Sequence, residues 1–286
     1  MAYTYSPLRY PGGKAAITPI LADIIKANNL VRGHYLEPYA GGAGLALSLL
    51  FKGYVHEIHL NDLDRSIWSF WNAVLNQTSE FIERISETEI TLEEWHRQKA
   101  VQNNAVNAAK IDLAFSTFFL NRTNHSGVIY RGGVIGGLSQ TGNYKLDCRF
   151  NKSGLIDRIK LIKKYQHRIH LYNLDAIDFM KQTTAVVPAR SLYVIDPPYF
   201  LKGSKLYTNF YKPEDHAAVA DTIKSLSKPW VVTYDNADEI KALYSDKKLY
   251  NFALNYSLAT KRKGTELLVA SDTIRIPTDL AVSEIA

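Results

Sequence analysis

The sequence predicts an α/β fold built on one open sheet, with a segment inserted between the second and third core strands. Short apolar runs alternate with helical patterns near both ends of the chain, which is typical of strand and helix units. Between about residues 75 and 165 this alternation stops, because helical patterns follow one another and a glycine-rich basic segment comes next. We therefore expect a core of residues 1–74 and 166–286 and an inserted subdomain of residues 75–165.

Composition limits the class of protein. The 286 residues are 46% hydrophobic, which suits one large domain with an insertion. No stretch approaches the roughly 18 apolar residues of a membrane span, and the first residues lack the apolar centre of a signal peptide. We expect a cytoplasmic monomer that does not contact a membrane. The single cysteine, Cys148, excludes an internal disulfide, and the histidines and acids show no metal-ligand spacing, so no metal is expected.

The first unit is a strand, a glycine loop and a helix. Residues 35–39 form the predicted strand, residues 41–44 the loop and residues 45–52 the helix. Glycines let the backbone approach a ligand, and free amides at a helix N-terminus suit an anionic or polar cofactor. An ordinary strand-to-helix turn would explain the loop equally well.

The second strand, residues 54–60, ends in two polar residues. Nucleotide-binding α/β folds place an acid near this spacing on a ribose hydroxyl, which makes Asp62 the candidate ribose ligand. Asp64 fits better as the cap of a helix over residues 65–75. His56 and His59 fit as ordinary strand residues.

The inserted segment carries the positive charge. Three helical patterns, residues 78–85, 91–102 and 108–120, precede it, and between Asn121 and Arg168 the chain has ten lysines and arginines against two acids. A cationic block in a chain of net charge +6 favours a polyanion-facing surface. A solvated helix face would explain residues 160–164 equally well. The glycine-rich part before it should form an exposed loop or hairpin.

Strand and helix patterns resume after the insertion. We predict strands at residues 168–172, 192–195 and 229–235, helices starting near residues 175 and 213, and two last strands, residues 249–256 and 266–270, that form an edge.

The strand at residues 192–195 stops abruptly in the sequence DPPY, residues 196–199. Ligands of open α/β sheets sit outside the carboxyl ends of the strands, where this motif falls. The Asp196 carboxylate and the Pro197 carbonyl can both accept hydrogen bonds from an exocyclic amino group, and Tyr199 offers a flat face to a planar base. This pairing would leave the amino lone pair free for attack. A rigid turn after a buried strand is the structural alternative.

Several motifs, in order, resemble those of a known family. They are RYPGGK (9–14), LEPYAGGAG (36–44), LNDLD (60–64), FFLNRTNHSGVIYRGG (118–133), DPPY, YTNFYKPEDHAAVADTI (207–223) and RKGTELLVAS (262–271). Together they resemble the Dam-like N6-adenine DNA methyltransferases of the D12 class, group alpha. Tyr10 stands where the family usually has tryptophan, and Tyr39 where phenylalanine is common.

The resemblance implies a Rossmann-like methyltransferase sheet with an inserted helical and hairpin target-recognition subdomain, S-adenosylmethionine as cofactor and double-stranded DNA as substrate. An adenine would leave the duplex to be methylated at N6. Asp196, Pro197, Pro198 and Tyr199 would form the catalytic motif. Asp175 would contact the cofactor's adenine, although it also fits as a helix cap. The implied cofactor-binding residues are Tyr10, Pro11, Gly12, Gly13, Lys14, Glu37, Pro38, Tyr39, Gly41, Gly44, Asp62, Asp175, Ala176 and Asp196.

The candidate DNA contacts lie in the basic segment, where arginine and asparagine can read base edges and lysine can contact phosphate. They are Arg122, Asn124, Tyr130, Arg131 and Lys145. Asn121 and Arg122 could instead support the architecture of the pocket. A cognate restriction endonuclease is a further candidate partner.

Two other functions fit less well. A methyltransferase acting on cytosine N4 or RNA would more often have serine in place of Asp196. A DNA-binding protein that has lost catalysis would not need every expected site residue, and all are present.

Overall fold

The computed structural model describes residues 4–9, 17–201, 211–257, 261–278, 280 and 282–285. The motif residues Tyr10, Pro11, Gly12, Gly13 and Lys14 lie outside the described residues. Among the described residues, no helix has the length and apolar character needed to cross a membrane.

The core is one eight-stranded sheet, as the alternating pattern predicts. Its strands are β1 (Gly33–Glu37), β2 (Val55–Asn61), β3 (Ile169–Tyr172), β4 (Ser191–Ile195), β5 (Trp230–Asp235), β6 (Lys248–Ser257), β7 (Lys261–Ala270) and β8 (Val282–Glu284). Their order is β3-β2-β1-β4-β5-β7-β6-β8. Strands β1 to β5 are parallel, whereas β6 and β7 form an antiparallel pair.

The last predicted strands do not both lie at the edge. Strand β7 pairs with β5 on one side and with β6 on the other, and the short β8 covers β6. The hairpin therefore extends the sheet beyond β5. Its second strand, β7, lies inside the sheet, and its first strand, β6, lies farther out. Strand periodicity predicts where strands lie in the sequence, but it does not predict which strands pair when they are far apart in the chain.

Ten helices in the described residues surround the sheet. They are α1 (Thr18–Ala27), α2 (Gly44–Phe51), α3 (Arg65–Asn76), α4 (Thr78–Glu87), α5 (Leu92–Asn103), α6 (Lys110–Thr123), α7 (Lys152–Lys164), α8 (Ala176–Val186), α9 (Pro213–Lys224) and α10 (Asp238–Leu243). Side-chain caps set the starts of several of them. Asp64 accepts a hydrogen bond from the Ser66 amide (2.8 Å) and caps α3, as predicted. Thr91 and Asn151 cap α5 and α7 in the same way.

Each face of the sheet is covered by its own apolar layer. Because neighbouring strand residues point to opposite faces, Tyr35 packs with one layer and Leu36 with the other. The Tyr35 layer includes α1, α2, α3 and the helices of the insertion, whereas the Leu36 layer includes α8, α9 and α10. The sheet is therefore buried on both sides, which explains the continuous apolar runs of its parallel strands.

The inserted helices share the core of the sheet. Phe70 of α3 lies in edge-to-face contact with Phe81 of α4 and stacks on Phe118 of α6. These rings belong to the same apolar cluster as Leu45 of α2 and Ile58 of β2. The helical half of residues 75–165 therefore packs on the sheet layer and has no separate core within the described residues.

The glycine-rich basic part of the insertion is a loop. Residues 124–151 contain no strand; a short 3₁₀ turn, His125–Gly127, and one isolated bridge between Asn124 and Val134 are their only regular features. The predicted hairpin is therefore wrong for these residues, whereas the predicted turn-rich exposed loop is confirmed. Repeated glycines favour turns over a long ladder, because they contribute no side chains to cross-strand pairs.

Candidate active site

The carboxyl ends of β1, β2, β4 and β5 meet at one edge, where the strand order reverses between β1 and β4. Ligands of open α/β sheets bind at such a switch point. The glycine loop after β1 turns tightly here, with φ of +45° at Gly41 and +46° at Ala43. Glycine reaches this left-handed region without the Cβ strain that other residues meet.

Asp62 ties the glycine loop to the end of β2. One carboxylate oxygen accepts a hydrogen bond from the Gly41 amide (2.8 Å) and the other accepts one from the Asp64 amide (2.9 Å). Burial, with the nearby charge of Asp64, raises the pKa of Asp62 to about 7. Each carboxylate oxygen has a second lone pair, so Asp62 can still accept from a ligand hydroxyl.

Asn61 is a site-forming residue that the sequence reasoning missed. Its buried amide donates to the Pro38 carbonyl (3.0 Å) and the Leu174 carbonyl (3.0 Å), and its oxygen accepts from the Leu174 amide (2.9 Å). It therefore joins the loops that follow β1 and β3. Its position beside Asp62 in LNDLD was the available signal.

Glu37 supplies a buried acidic group at the end of β1. Burial, followed by the charge of Asp196, raises its pKa well above the usual range, and Asp62 contributes in the same direction. The Oε2 atom has no hydrogen-bond partner among the described residues. A buried acceptor of this kind is costly unless a donor or cation completes it.

Asp196 follows β4 and is held by a residue of β5. The Thr233 hydroxyl, which is buried, donates to Asp196 Oδ1 at 2.8 Å. This contact fixes the carboxylate at the edge of the sheet where ligands of this fold bind. The sequence reasoning missed Thr233, whose signal was its place in the strand PWVVTYD beside β4.

Tyr199 is more deeply buried than the sequence suggests. It is 8% exposed, and its hydroxyl donates to Glu266 Oε1 of β7 at 2.9 Å. The next two amides, of Phe200 and Leu201, both donate to the Asp235 carboxylate at 2.8 Å. The DPPY turn is therefore anchored to β5 and β7, and the rigid-turn role and the ligand role are compatible.

Three further predicted cofactor residues, Tyr39, Asp175 and Ala176, come shortly after β1 and β3 in the chain. The Tyr39 hydroxyl lies 2.9 Å from that of Tyr211, which the sequence reasoning did not single out. Asp175 caps α8 by accepting from the Ile177 amide (2.8 Å), which confirms the capping alternative. Ala176 is buried in the first turn of α8. The cap therefore uses one carboxylate oxygen of Asp175, and the other carboxylate oxygen takes no part in the cap.

Comparison with known proteins shows what kind of site this is. The family model for D12 class N6 adenine-specific DNA methyltransferases matches residues 10–258. The chain belongs to this family. The methyltransferase therefore uses S-adenosylmethionine and methylates N6 of adenine in DNA, at specific sites, on a base turned out of the helix.

Individual relatives are more distant. The Type II methyltransferase M.MjaIII of Methanocaldococcus jannaschii is 25% identical over 244 residues, which cover 77% of this chain and 80% of the relative. A Listeria monocytogenes structure described as a class I S-adenosylmethionine-dependent methyltransferase gives a TM-score of 0.39 at 10% identity, covering 94% of this chain and 64% of that one. The rRNA methyltransferase AviRa from Streptomyces viridochromogenes gives 0.33 at 10% identity, covering 87% and 82%. Likeness at these TM-scores adds nothing to the family match.

The acids of this methyltransferase fit its cofactor. S-adenosylmethionine carries a sulfonium and an ammonium, and the edge of the sheet brings together Glu37, Asp62 and Asp196, whose charges interact. Glu37 Oε2, which has no hydrogen-bond partner in the part of the chain that the structure describes, is an acceptor that such a ligand could complete. The Asp62 carboxylate beside the Gly41 turn is suited to hydroxyl donors. The residues present therefore fit the cofactor.

Asn121 holds the segment that leads to the RYPGGK motif in this methyltransferase. Its side chain accepts from the Arg9 amide (2.7 Å) and donates to the Arg9 carbonyl (2.7 Å). Gly127 packs against the same point, since a Cβ there would lie 2.3 Å from the Arg9 carbonyl oxygen. Asn121 therefore supports architecture, as one interpretation of the sequence had it.

The five candidate DNA contacts fall into two groups. Arg131 and Lys145 are exposed on the basic loop, whereas Arg122 and Tyr130 are partly buried and Asn124 is 0% exposed. The Lys145 ammonium donates to the Gln140 carbonyl. The burial of Asn124 therefore argues against a direct DNA contact by this side chain in the described conformation.

Tyr130 and Arg122 are engaged within the protein. The Tyr130 hydroxyl donates to Asp64 Oδ1 at 2.7 Å and so links the insertion to the cap of α3. Arg122 donates through Nε to the Arg149 carbonyl at 2.6 Å. These contacts favour an architectural role for both side chains over direct reading of bases.

Asn124 should be a stability residue. Its oxygen accepts from the Trp95 indole (2.7 Å), and its amide donates to the Val128 carbonyl (2.8 Å). We expect Asn124→Ala to lower the free energy of unfolding by about 2–4 kcal/mol, because buried partners would be left unsatisfied. Urea denaturation monitored by circular dichroism measures this loss. Arg131→Ala, on the exposed loop, is the control and should change stability by less than about 0.5 kcal/mol. An equal effect of the two substitutions would contradict the assignment.

Proposed function

We propose that Asp196 is the group that receives the target adenine in this methyltransferase. The observation that carries the proposal is the Asp196 carboxylate at the end of β4, fixed by Thr233 and interacting with the acids of the cofactor edge. A carboxylate so held can accept one amino proton of N6, and the Pro197 carbonyl can accept the other. The buried turn at Tyr199 would keep both acceptors in position.

The chain's own groups would then orient the amino nitrogen. Two acceptors on its protons favour a pyramidal nitrogen, whose lone pair is free to attack. When bound, S-adenosylmethionine would supply a sulfonium methyl group for transfer to N6, with a neutral thioether as the leaving group. Asp196 is positioned to receive the proton that N6 then loses. This displacement needs no metal, because the leaving group is neutral.

We further propose which part of the cofactor each of the predicted cofactor-binding residues contacts. Asp62 would accept hydrogen bonds from the ribose hydroxyls. Gly41 and Gly44, in the loop that follows Glu37, Pro38 and Tyr39, would let the backbone lie close to the cofactor. Asp175 and Ala176 would lie beside the cofactor's adenine. The family resemblance alone assigns Tyr10, Pro11, Gly12, Gly13 and Lys14 to the same ligand.

The insertion is proposed as the DNA-binding part, formed by residues 75–165 between the two segments of the catalytic core. Its loop and the N-terminal segment line a pocket of about 330 Å³ that includes Arg9, Arg149, His125 and Tyr144. Burial, followed by the charges of Arg9, Arg158 and Arg149, lowers the pKa of Arg122 to about 9. The mutual repulsion of crowded arginines is relieved when a polyanion binds, which supports a DNA-facing surface here.

The salt dependence of DNA binding tests this surface. We expect the double substitution of Arg131 and Lys145 by alanine to make the slope of log Kobs against log salt shallower by about 0.9 for each phosphate that is no longer neutralised. Arg149→Ala should make the slope shallower by about 0.9 as well. Fluorescence anisotropy with a duplex oligonucleotide over a range of salt concentrations measures the slopes.

Lys52→Ala is the matched control for these substitutions. Lys52 is exposed just after α2, outside residues 75–165 and the basic loop, and its removal should leave the slope unchanged. Slopes that are identical in all variants would place these arginines and Lys145 outside the DNA interface.

A methyl-transfer assay tests the proposed reaction as a whole. The full chain is incubated with tritiated S-adenosylmethionine and duplex DNA, and the product nucleosides are separated. N6-methyladenine is the expected labelled product. Label in N4-methylcytosine or RNA would refute the proposal, and label in no product would favour a DNA-binding protein without catalysis.

We also propose that the chain acts in a restriction and modification pair in the cytoplasm, as a monomer on duplex DNA. The support is the name of its relative, a Type II methyltransferase. Sequencing that maps N6-methyladenine in DNA from cells expressing the chain would give the methylated sequence. An endonuclease encoded beside it should cut that same sequence when it is unmethylated, and cleavage of the methylated site would refute the pairing.

A further inference from the structure

A cluster of imidazoles and one carboxylate lies on strands β1, β2 and β3, on the sheet face of Leu36. His34 stands opposite Glu57 in the pairing of β1 with β2, and His59 stands opposite His170 in the pairing of β2 with β3. None of the four takes part in the cofactor edge described above. We call these four residues the histidine cluster.

Three members of the cluster have nitrogen and oxygen atoms close enough to share one ion. One ligand atom each of His34, Glu57 and His59 lies within 4.8 Å of the others. His34 Nδ1 is 3.0 Å from His59 Nε2, and His34 Nε2 is 3.8 Å from Glu57 Oε2. Two nitrogens on one tetrahedral Zn²⁺ would be about 3.3 Å apart, given bonds of about 2.0 Å. Small side-chain rotations would therefore complete the geometry.

The cluster also has groups that orient its ligands. The Tyr172 hydroxyl lies 3.1 Å from His59 Nδ1, and His170 Nε2 lies 2.7 Å from Glu57 Oε2. If Nδ1 of His59 donates to Tyr172, the lone pair of its Nε2 points toward His34 Nδ1. Hydrogen bonds of this kind to the second ring nitrogen and to the carboxylate are typical around metal ligands.

A purely polar explanation accounts for the cluster less well. The rings of His59 and His170 are stacked with centroids 4.4 Å apart, so both cannot carry a positive charge without repulsion. His59 is only 5% exposed, and Glu57 is the single carboxylate paired with these imidazoles among the described residues. Neutral imidazoles with one carboxylate form a ligand set typical of Zn²⁺.

We propose that His34, Glu57 and His59 bind one Zn²⁺, with His170 of β3 orienting the Glu57 carboxylate through its hydrogen bond. The ion would join β1 and β2 and so stabilise one end of the parallel sheet. It would lie outside the methyl-transfer site, and removing it should leave the turnover of the folded protein unchanged.

Metal binding to the untagged full chain tests the proposal. After treatment with a chelator and its removal, titration calorimetry with ZnCl₂ should show one ion per chain, and the melting temperature should rise with Zn²⁺ and fall again with chelator. X-ray absorption at the zinc edge should show nitrogen and oxygen ligands at about 2.0–2.1 Å. A thiolate ligand, for which only Cys148 is available, would overturn the assignment.

Substitutions locate the ion. His34→Gln combined with Glu57→Gln should abolish the one-to-one binding, whereas His96→Gln, an exposed histidine on α5, should leave it intact. Circular dichroism and methyl transfer show whether the double variant is folded. Absence of saturable Zn²⁺ binding to the wild-type chain would overturn the proposal irrespective of how the variants fold, as would unchanged binding in a folded double variant.

Discussion

Asp196→Ala should nearly abolish methyl transfer, with a loss in kcat of about 10²- to 10³-fold, and should leave S-adenosylmethionine binding largely intact. The substitution removes the carboxylate that we propose for the N6 amino group, a preorganised contact of the kind that contributes about 10²–10³ in rate. Single-turnover kinetics with labelled cofactor measure the chemical step, and calorimetry measures cofactor affinity.

Two further variants make this experiment specific. Asp221→Ala removes an exposed acid on α9 and should leave turnover unchanged. Thr233→Val removes the hydrogen bond to Asp196 Oδ1 and should lower kcat by roughly 10- to 100-fold, because Thr233 is a positioning residue whose bond to a charged group is worth about 1.5–3 kcal/mol. Its effect should fall on kcat more than on KM. Retained turnover in the Asp196 variant would remove this residue from the mechanism.

Asp62→Asn should weaken S-adenosylmethionine binding by about 10- to 100-fold. The carboxylate is proposed to accept the ribose hydroxyls, and hydrogen bonds to a charged acceptor are worth about 1.5–3 kcal/mol. The substitution also disturbs the contact with the Gly41 amide, since the asparagine amide has only one accepting oxygen. Calorimetry on the free protein measures the change, and an unchanged affinity would exclude the ribose role.

The pH dependence of cofactor binding separates these roles of Asp62. Burial, with the charge of Asp64, raises the pKa of Asp62 to about 7, so the free protein holds a mixture of protonated and charged forms at neutral pH. Ribose hydroxyls donate best to the charged form. Affinity should therefore rise as the pH rises through about 7 in the wild type and should lose this rise in D62N. A wild-type profile that is flat between about pH 6 and 8 would contradict the prediction.

The same raised pKa has a consequence for the free energy of unfolding. Asp62 binds its proton more tightly in the native chain than in the unfolded chain. Between the unfolded pKa, near 4, and about 7, the native state therefore holds more protons, and the contribution of Asp62 to stability falls as the pH rises. Bound cofactor, which favours the charged form, should reduce this loss.

Local features of the fold could be predicted well from the sequence. Strand β4 ends one residue before Asp196, and α3 begins after its cap Asp64, as expected. Both boundaries depend on residues that are neighbours in the chain: prolines lack a backbone donor, and a short acidic side chain satisfies the free amides of a helix. The family motifs also indicated where the site lies, because Gly41, Asp62 and Asp196 each follow a predicted strand.

Contacts between distant parts of the chain could not be predicted in this way. Nothing near Asn124 in sequence indicates that Trp95 would bury it, and an asparagine in a basic loop is as suited to a base edge as to a core. The insertion of β7 between β5 and β6 is of the same kind.

The sequence by itself determined the α/β class, the family, the cofactor and the reaction, because these depend on short motifs whose chemistry is local. Only the tertiary structure decided which polar residues support the site and which remain exposed. It placed Thr233 on Asp196, buried Asn124, left Arg131 on the surface and brought the histidine cluster together across three strands. The physical reason is that burial and hydrogen-bond partnership are set by strand order and packing, which join residues far apart in the chain.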